Sequence, residues 1–149
     1  MRIRLATLKD IPMLVHIGGA FVSESPVFKN RGYMPEKAAK HFKWLLDGNG
    51  VIFLAIDKGQ IVGGFAGGIS TDWYTDHKLA YDHVMYVKPD YRSDGIAKAL
   101  VQAFIGWAVG MGVNNICCGT STMVNTQNCI ELYTSLGFQL SGAVLEMKV

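Results

Sequence analysis

Apolar residues recur along this chain in two rhythms, one of period two and one near 3.6, and the switches between them mark its elements. Ile3 and Leu5 alternate with Arg2 and Arg4, which predicts a short strand. Thr7-x-x-Asp10 reads as a helix cap, a carboxylate variant of the capping box. Ile11, Leu14, Val15 and Val22 follow at helical spacing and predict a helix near residues 8–22. Ser23 to Tyr33 contains Pro26 and Gly32 and reads as a loop. Pro35 starts a second helix with Ala38, Phe42, Leu45 and Leu46 on one face, and Gly48-Asn-Gly50 stops it.

The rhythm then changes to strands at Val51–Ile56, Ile61–Ser70 and Leu79–Val87, with Lys58-Gly59 as a tight hairpin turn between the first two. Thr71–Lys78 is a polar and aromatic connection. Pro89 closes the third run, and Gly95 opens a helix carrying Ile96, Leu100, Ala103, Phe104 and Trp107 on its apolar stripe. Gly110 and Gly112 end that helix. Asn115–Gly119 reads as a short strand, Asn125–Leu136 as a last helix stopped by Gly137, and Ala143–Met147 as a final strand. The order β-α-α-β-β-β-α-β-α-β, without repeat or linker, predicts one α/β domain over residues 1–149, a mixed sheet with helices on both faces.

Composition narrows the function classes. Half of the 149 residues are hydrophobic and only 17% are charged, which excludes a disordered chain. That excess leaves apolar surface for a binding cleft or for contact between subunits of a homodimer. The net charge of +2 is spread without a basic run, so no nucleic-acid partner is expected. No apolar run reaches the ~18 residues of a membrane span. Cys117, Cys118 and Cys129 are odd in number and follow no secretory pattern, so reduced thiols and a cytoplasmic location are expected. His16, His41 and His77 lack metal-ligand spacing, and no metal is expected.

The most informative stretch is Val84-Met-Tyr-Val-Lys-Pro-Asp-Tyr-Arg-Ser-Asp-Gly-Ile-Ala97. A strand runs into a turn that becomes a helix start, where free N–H groups and the helix dipole favour an anion. Gly95 and Ala97 leave room for a phosphate to approach, and Arg92 and Lys98 add charge. Neither a Walker A loop nor a dinucleotide fingerprint is present. Arg92-x-x-Gly95-x-Ala97 after a strand resembles the R/Q-x-x-G-x-G/A motif of the GNAT superfamily of N-acetyltransferases. Cys129-Ile-Glu-Leu-Tyr-Thr-Ser-Leu-Gly-Phe138 resembles a second segment of that family, small-x-x-Leu-Tyr-x-x-x-Gly-Phe. Element order and length match over nearly the whole chain.

The resemblance implies a GNAT-like acyl-CoA N-acyltransferase fold, with a central, mostly antiparallel sheet. It also implies acetyl transfer from acetyl-CoA to an amine acceptor, or, alternatively, a non-catalytic acyl-CoA sensor of the same fold. The backbone of Met85 and Val87 would bind the pantetheine arm. The amides of Ser93, Asp94, Gly95, Ile96, Ala97 and Lys98 would hold the pyrophosphate. The strand bearing Val87 would splay from that of Ile116, with the thioester in the gap. Where the family often has an asparagine seven residues before the tyrosine, this chain has Thr126, flanked by Asn125 and Asn128 as the candidate polar contacts. Asp94 replaces a neutral or basic residue and is expected to face solvent. The 11 residues after Phe138 suffice for one strand, so the usual C-terminal hairpin is expected to be shortened or completed by another subunit.

Tyr133 matches the family's tyrosine and is the candidate acid for the departing thiolate. His83 is the candidate base or proton relay, or else a packed structural histidine, with Asp82 and Tyr81 as runners-up. Period-two alternation predicts that His83 shares a face with Tyr81, Met85 and Val87. The N–H of Val87 or Met85 would serve the oxyanion. Asp72, Trp73, Tyr74 and Asp76, with the loop from Phe21 to Tyr33, are the candidate acceptor wall.

Overall fold

The computed structural model describes all residues from Met1 to Val149. The period-two runs form strands β1 (Arg2–Leu5), β2 (Gly50–Asp57), β3 (Gln60–Thr71), β4 (Lys78–Val87) and β5 (Asn115–Cys117). The helical runs form α1 (Ile11–Glu24), α2 (Pro35–Trp44), α3 (Ile96–Gly110) and α4 (Thr126–Ser135). The strands lie in sequence order in one sheet. Neighbours from β1 to β4 are antiparallel, whereas β5 runs parallel to β4 after the α3 crossover.

Alternation in β2 explains why helices cover both faces. Val51 and Ala55 point one way, joining Val62, Phe65, Ala80, Val87 and the buried stripe of α3. Ile52, Leu54 and Ile56 point the other way, against Leu14 of α1 and Phe42 of α2. Ile96, Leu100, Val101, Phe104 and Ala108 of α3 are all buried. At roughly 1.5–3 kcal/mol per large apolar side chain, this stripe is a main source of the free energy that docks α3. Gly67 of β3 makes the docking possible, because a Cβ there would stand 2.6 Å from the Phe104 ring. Phe104 instead packs on Phe65, with ring centroids 4.5 Å apart.

Two features depart from the pattern-based expectation. The final strand over Ala143–Met147 does not form: residues beyond Phe138 have no regular structure. Leu140, Val144 and Leu145 are each at least 95% exposed. The physical reason lies in β5, whose three residues offer too short an edge for a five-residue strand to pair along. The second departure is a bulge in β4. Val84 pairs with Ala66 and Asp82 with Gly67, which leaves His83 as an extra, unopposed residue.

The expected box between Thr7 and Asp10 forms at the 3-10 turn Leu8–Asp10 that leads into α1. Asp10 accepts from the Thr7 N–H at 2.8 Å, and its own N–H also reaches the Thr7 carbonyl. The same carboxylate accepts two bonds from Arg4 at 2.8 and 2.9 Å and so ties β1 to the start of α1. Hydrogen bonding to Arg4, above all, holds the Asp10 carboxyl down at about 2. A carboxyl held below its unfolded value of ~3.9 stabilises the fold at higher pH, and the contribution is lost as pH falls from ~4 toward 2. Asp10→Asn is therefore expected to cost about 1–2 kcal/mol at pH 7. Its stability gap to wild type should narrow below pH 4, as read by denaturant unfolding at both pH values.

Candidate active site

β4 and β5 are paired only at Leu79–Asn115, Ala80–Ile116 and Tyr81–Cys117, after which β4 continues to Val87 with β3 on one edge and no strand on the other. Its freed edge has a definite polarity. Lys88 donates its N–H to Val62 of β3. Successive residues of a strand present their N–H and C=O to opposite edges. Val87 and Met85 thus turn theirs away from β3, toward the side β5 has vacated. The Val87 carbonyl is met there by Arg92 Nε at 2.9 Å.

A cavity of about 300 Å³ opens along this edge. Met85, Tyr86 and Val87 form one wall, and Asn125, Asn128, Cys129 and Leu132 of the α4 region form the other. One end reaches Gly95, Ala97 and Lys98 at the start of α3. Gly95 adopts φ +73°, a left-handed backbone that swings the chain into the helix, and a Cβ built there would meet only open space. The first N–H to close a helical bond is that of Ala99, to the Gly95 carbonyl. The N–H groups of Ile96, Ala97 and Lys98 are thus the unpaired first-turn donors.

The structure gathers most of the expected binding residues and sets three apart. Met85, Val87, Arg92, Gly95, Ala97, Lys98, Asn125 and Asn128 line the cavity. Ser93 and Asp94 are exposed outside its lining, and the Asp94 N–H is engaged by the Tyr91 carbonyl. The Ile96 side chain is 2% exposed and belongs to the core beneath α3. The turn spends the Asp94 amide on its own closure, whereas Ile96 points only its side chain inward and keeps its N–H among the first-turn donors.

The gap between the parted strands holds a second group of residues. Asp82 accepts from the Gly119 N–H at 3.3 Å. Tyr133 of α4 is 7% exposed and packs edge-on against Phe138, with centroids 5.2 Å apart. Burial, with Cys118 and Asp82 beside it, raises the Tyr133 phenol above its ordinary range. The hydroxyl therefore keeps its proton at neutral pH. Burial likewise raises Asp82, and pushes the Cys118 thiol up to about 12.

His83 does not share a face with Met85 and Val87, contrary to simple alternation. The bulge puts His83 and Val84 on the same side of the sheet, toward α1 and α2, where His83 lies 4.9 Å from the His41 ring and 5.1 Å from Tyr81. Burial and the His41 charge lower its pKa. His83 and Tyr133 thus flank β4 from opposite faces. The Trp73–Tyr74 pair projects from the β3–β4 connection, with Trp73 95% exposed, and does not line the cavity.

Sequence reasoning missed the clasp over the cavity. Glu24, at the end of α1, pairs through both oxygens with the guanidinium of Arg92, 68 residues away. Ser25 is fully buried, accepts from the N–H of Val27 and Phe28 at 3.2 Å each, and donates to the Thr122 carbonyl at 2.7 Å. Thr122 and Val124 line the cavity, so Ser25 anchors the segment that walls it. The only sequence signal was a helix end rich in polar residues.

The sequence model of the Acetyltransferase (GNAT) family matches residues 19–138. A Mus musculus protein named "Probable N-acetyltransferase family 8 member 5" is 30% identical over 104 residues, which cover 70% of this chain and 45% of that protein. The chain thus spans less than half the length of this relative. Among solved structures, a transcriptional regulator from Bacillus halodurans superposes with a TM-score of 0.80 at 24% identity, covering 99% of each chain. An aminoglycoside acetyltransferase from an uncultured soil metagenomic sample, in complex with sisomicin, gives 0.75 at 19% identity, covering 99% of this chain and 94% of its own. These likenesses carry the fold.

Ser25→Ala would leave the Thr122 carbonyl and two N–H groups short of a partner. The expected loss is about 1–3 kcal/mol in denaturant unfolding. An unchanged midpoint would contradict the anchoring role.

Proposed function

The chain belongs to the Acetyltransferase (GNAT) family, and we propose that it transfers the acetyl group of acetyl-CoA to a primary amine by direct attack in a ternary complex. The observation that carries this reading is the parted edge of β4. Its Met85 and Val87 N–H groups, turned away from β3, lead within one cavity to the unpaired amides at the start of α3. An extended amide-bearing arm that ends in phosphates needs this combination. The arm adds to the strand edge, as peptide-like ligands do. The phosphates meet the Ile96–Lys98 amides, the positive end of the helix, and Lys98. Ser93 and Asp94 belong to the supporting turn, and Asn125 and Asn128 offer polar contacts from the opposite wall.

Chemistry is placed where β4 leaves β5. The acceptor arrives as an ammonium ion and must lose one proton before its nitrogen can attack; His83, on the α1–α2 face, takes that proton. The amine nitrogen bonds to the thioester carbon, and the N–H of Met85 or Val87 stabilises the oxyanion. Collapse breaks the carbon–sulfur bond. The thiolate is protonated by Tyr133 from the other face, and the second amine proton restores the phenol or passes to solvent. Products are an acetamide, free coenzyme and one net proton. Holding both reactants in place supplies most of the acceleration, since oriented intramolecular reactions gain up to ~7–11 kcal/mol.

No helix is long and apolar enough to cross a membrane. All three cysteines are free, which suits a reducing compartment such as the cytoplasm.

Thiol release from acetyl-CoA against a panel of amines, an aminoglycoside among them, tests the reading. Turnover with at least one amine is expected. Tight binding of acetyl-CoA with no turnover on any amine would favour the sensor instead. With a working acceptor, Tyr133→Phe should slow single-turnover acetyl transfer by ~10²-fold or more and leave coenzyme affinity nearly unchanged. Equal rates, with chemistry limiting, would remove Tyr133 from the mechanism.

A further inference from the structure

His41 lies outside the cavity and outside both sequence motifs, yet it faces the bulge residue directly. It projects from α2 with its ring centroid 4.9 Å from that of His83 and 6.0 Å from Trp44, on which it stacks. Tyr81 closes the row on the far side of His83, at 5.1 Å. The four rings follow one another across the α1–α2 face of the sheet, and the imidazoles of His41 and His83 are both exposed there.

The electrical surroundings of His83 are simple. From α2 the facing group is His41. From β4 itself the neighbours are Tyr81 and Asp82, but Asp82 turns through the sheet to Gly119. From β3 the residues on either side of the bulge are Ala66 and Gly67, which carry no titratable group. None of the protein's four ion pairs involves a histidine. No carboxylate therefore offsets a positive charge on His83, and a second positive charge at His41 opposes it.

We propose that His41 is a positioning residue for His83: its positive charge, facing the bulge from α2, keeps that imidazole in its proton-accepting form. This rests on the reading of His83 as the base. An ammonium proton passes to His83, leaving a neutral amine. Two adjacent imidazolium ions repel, so the charge on His83 is short-lived and the proton leaves directly to water, to which His83 is exposed. The base is thereby reset without a carboxylate partner. The lowered pKa of His83, caused by burial and by His41, agrees with the geometry.

Proton NMR titration of the histidine ring resonances tests the coupling in the whole chain without turnover, with His83 assigned through His83→Gln. In His41→Gln the His83 midpoint should rise by about half a pH unit or more, the scale for two unit charges ~5 Å apart near water. His41→Lys, which retains a positive charge, should keep the midpoint low. His41 is exposed on α2, and unchanged melting temperatures of both variants would confirm intact folds. With a working amine, the acid limb of the kcat/KM profile should move with the midpoint in His41→Gln. A stationary NMR midpoint overturns the inference whatever the activity does. A shifted midpoint with a stationary acid limb overturns the catalytic part by removing His83 from the reaction, while a failed amine panel leaves the NMR result to stand or fall alone.

Discussion

The structure depends on the hydrogen bonds that β4 does not make to β5. A buried strand edge must have partners for its N–H and C=O groups, and β5 supplies them for only three residue pairs. Beyond Tyr81 the edge is served piecemeal: the Asp82 carboxylate caps Gly119, and Arg92 covers the Val87 carbonyl. What remains is a short run of backbone donors and acceptors beside a helix start with its own free amides. An open edge of this kind is a liability in most sheets. Here α4 and the Thr122–Asn125 segment roof it into a cavity, and the liability becomes a place for an extended ligand.

A single extra residue then decides how the two faces of β4 are used. With unbroken alternation, His83 would stand beside Met85 and Val87. The bulge displaces the pattern, so Ala80 and Asp82 face α3 and α4 before it, and Met85 and Val87 do so after it. His83 is left facing α2. The candidate base and the candidate acid therefore approach the parted edge from opposite sides, and neither blocks the channel along it. The Glu24–Arg92 pair and Ser25 hold α1 against the same edge, so the cleft is braced at both ends by contacts between residues distant in sequence.

Much of this was legible in the sequence. Strands β1 to β5 match the periodicity to within about two residues, because the sheet is covered on both faces and its alternation is clean, while α1 begins three residues later than its pattern predicts, after a 3-10 turn. The turn at Arg92–Ala97 was legible because Gly95 stands where the chain needs a left-handed residue. The bulge was not, since nothing in Asp82-His83-Val84 announces an unopposed residue; the offset comes from pairing with the glycine-rich β3. The Glu24 and Ser25 clasp was invisible for a related reason: its partners lie 68 and 97 residues away, and only tertiary packing brings them together. The expected last strand had suitable residues in Ala143–Met147 but no adequate edge to join.

The central claim is that the parted edge of β4 and the start of α3 form one binding surface for acetyl-CoA. Amide hydrogen exchange, resolved by residue, measures that surface directly with and without saturating acetyl-CoA. The account predicts slowed exchange at Met85 and Val87 together with Ile96, Ala97 and Lys98, and little change in the β1–β2 ladder on the far side of the sheet. Unchanged exchange at both the strand edge and the helix start, under conditions where the coenzyme is bound, would contradict it.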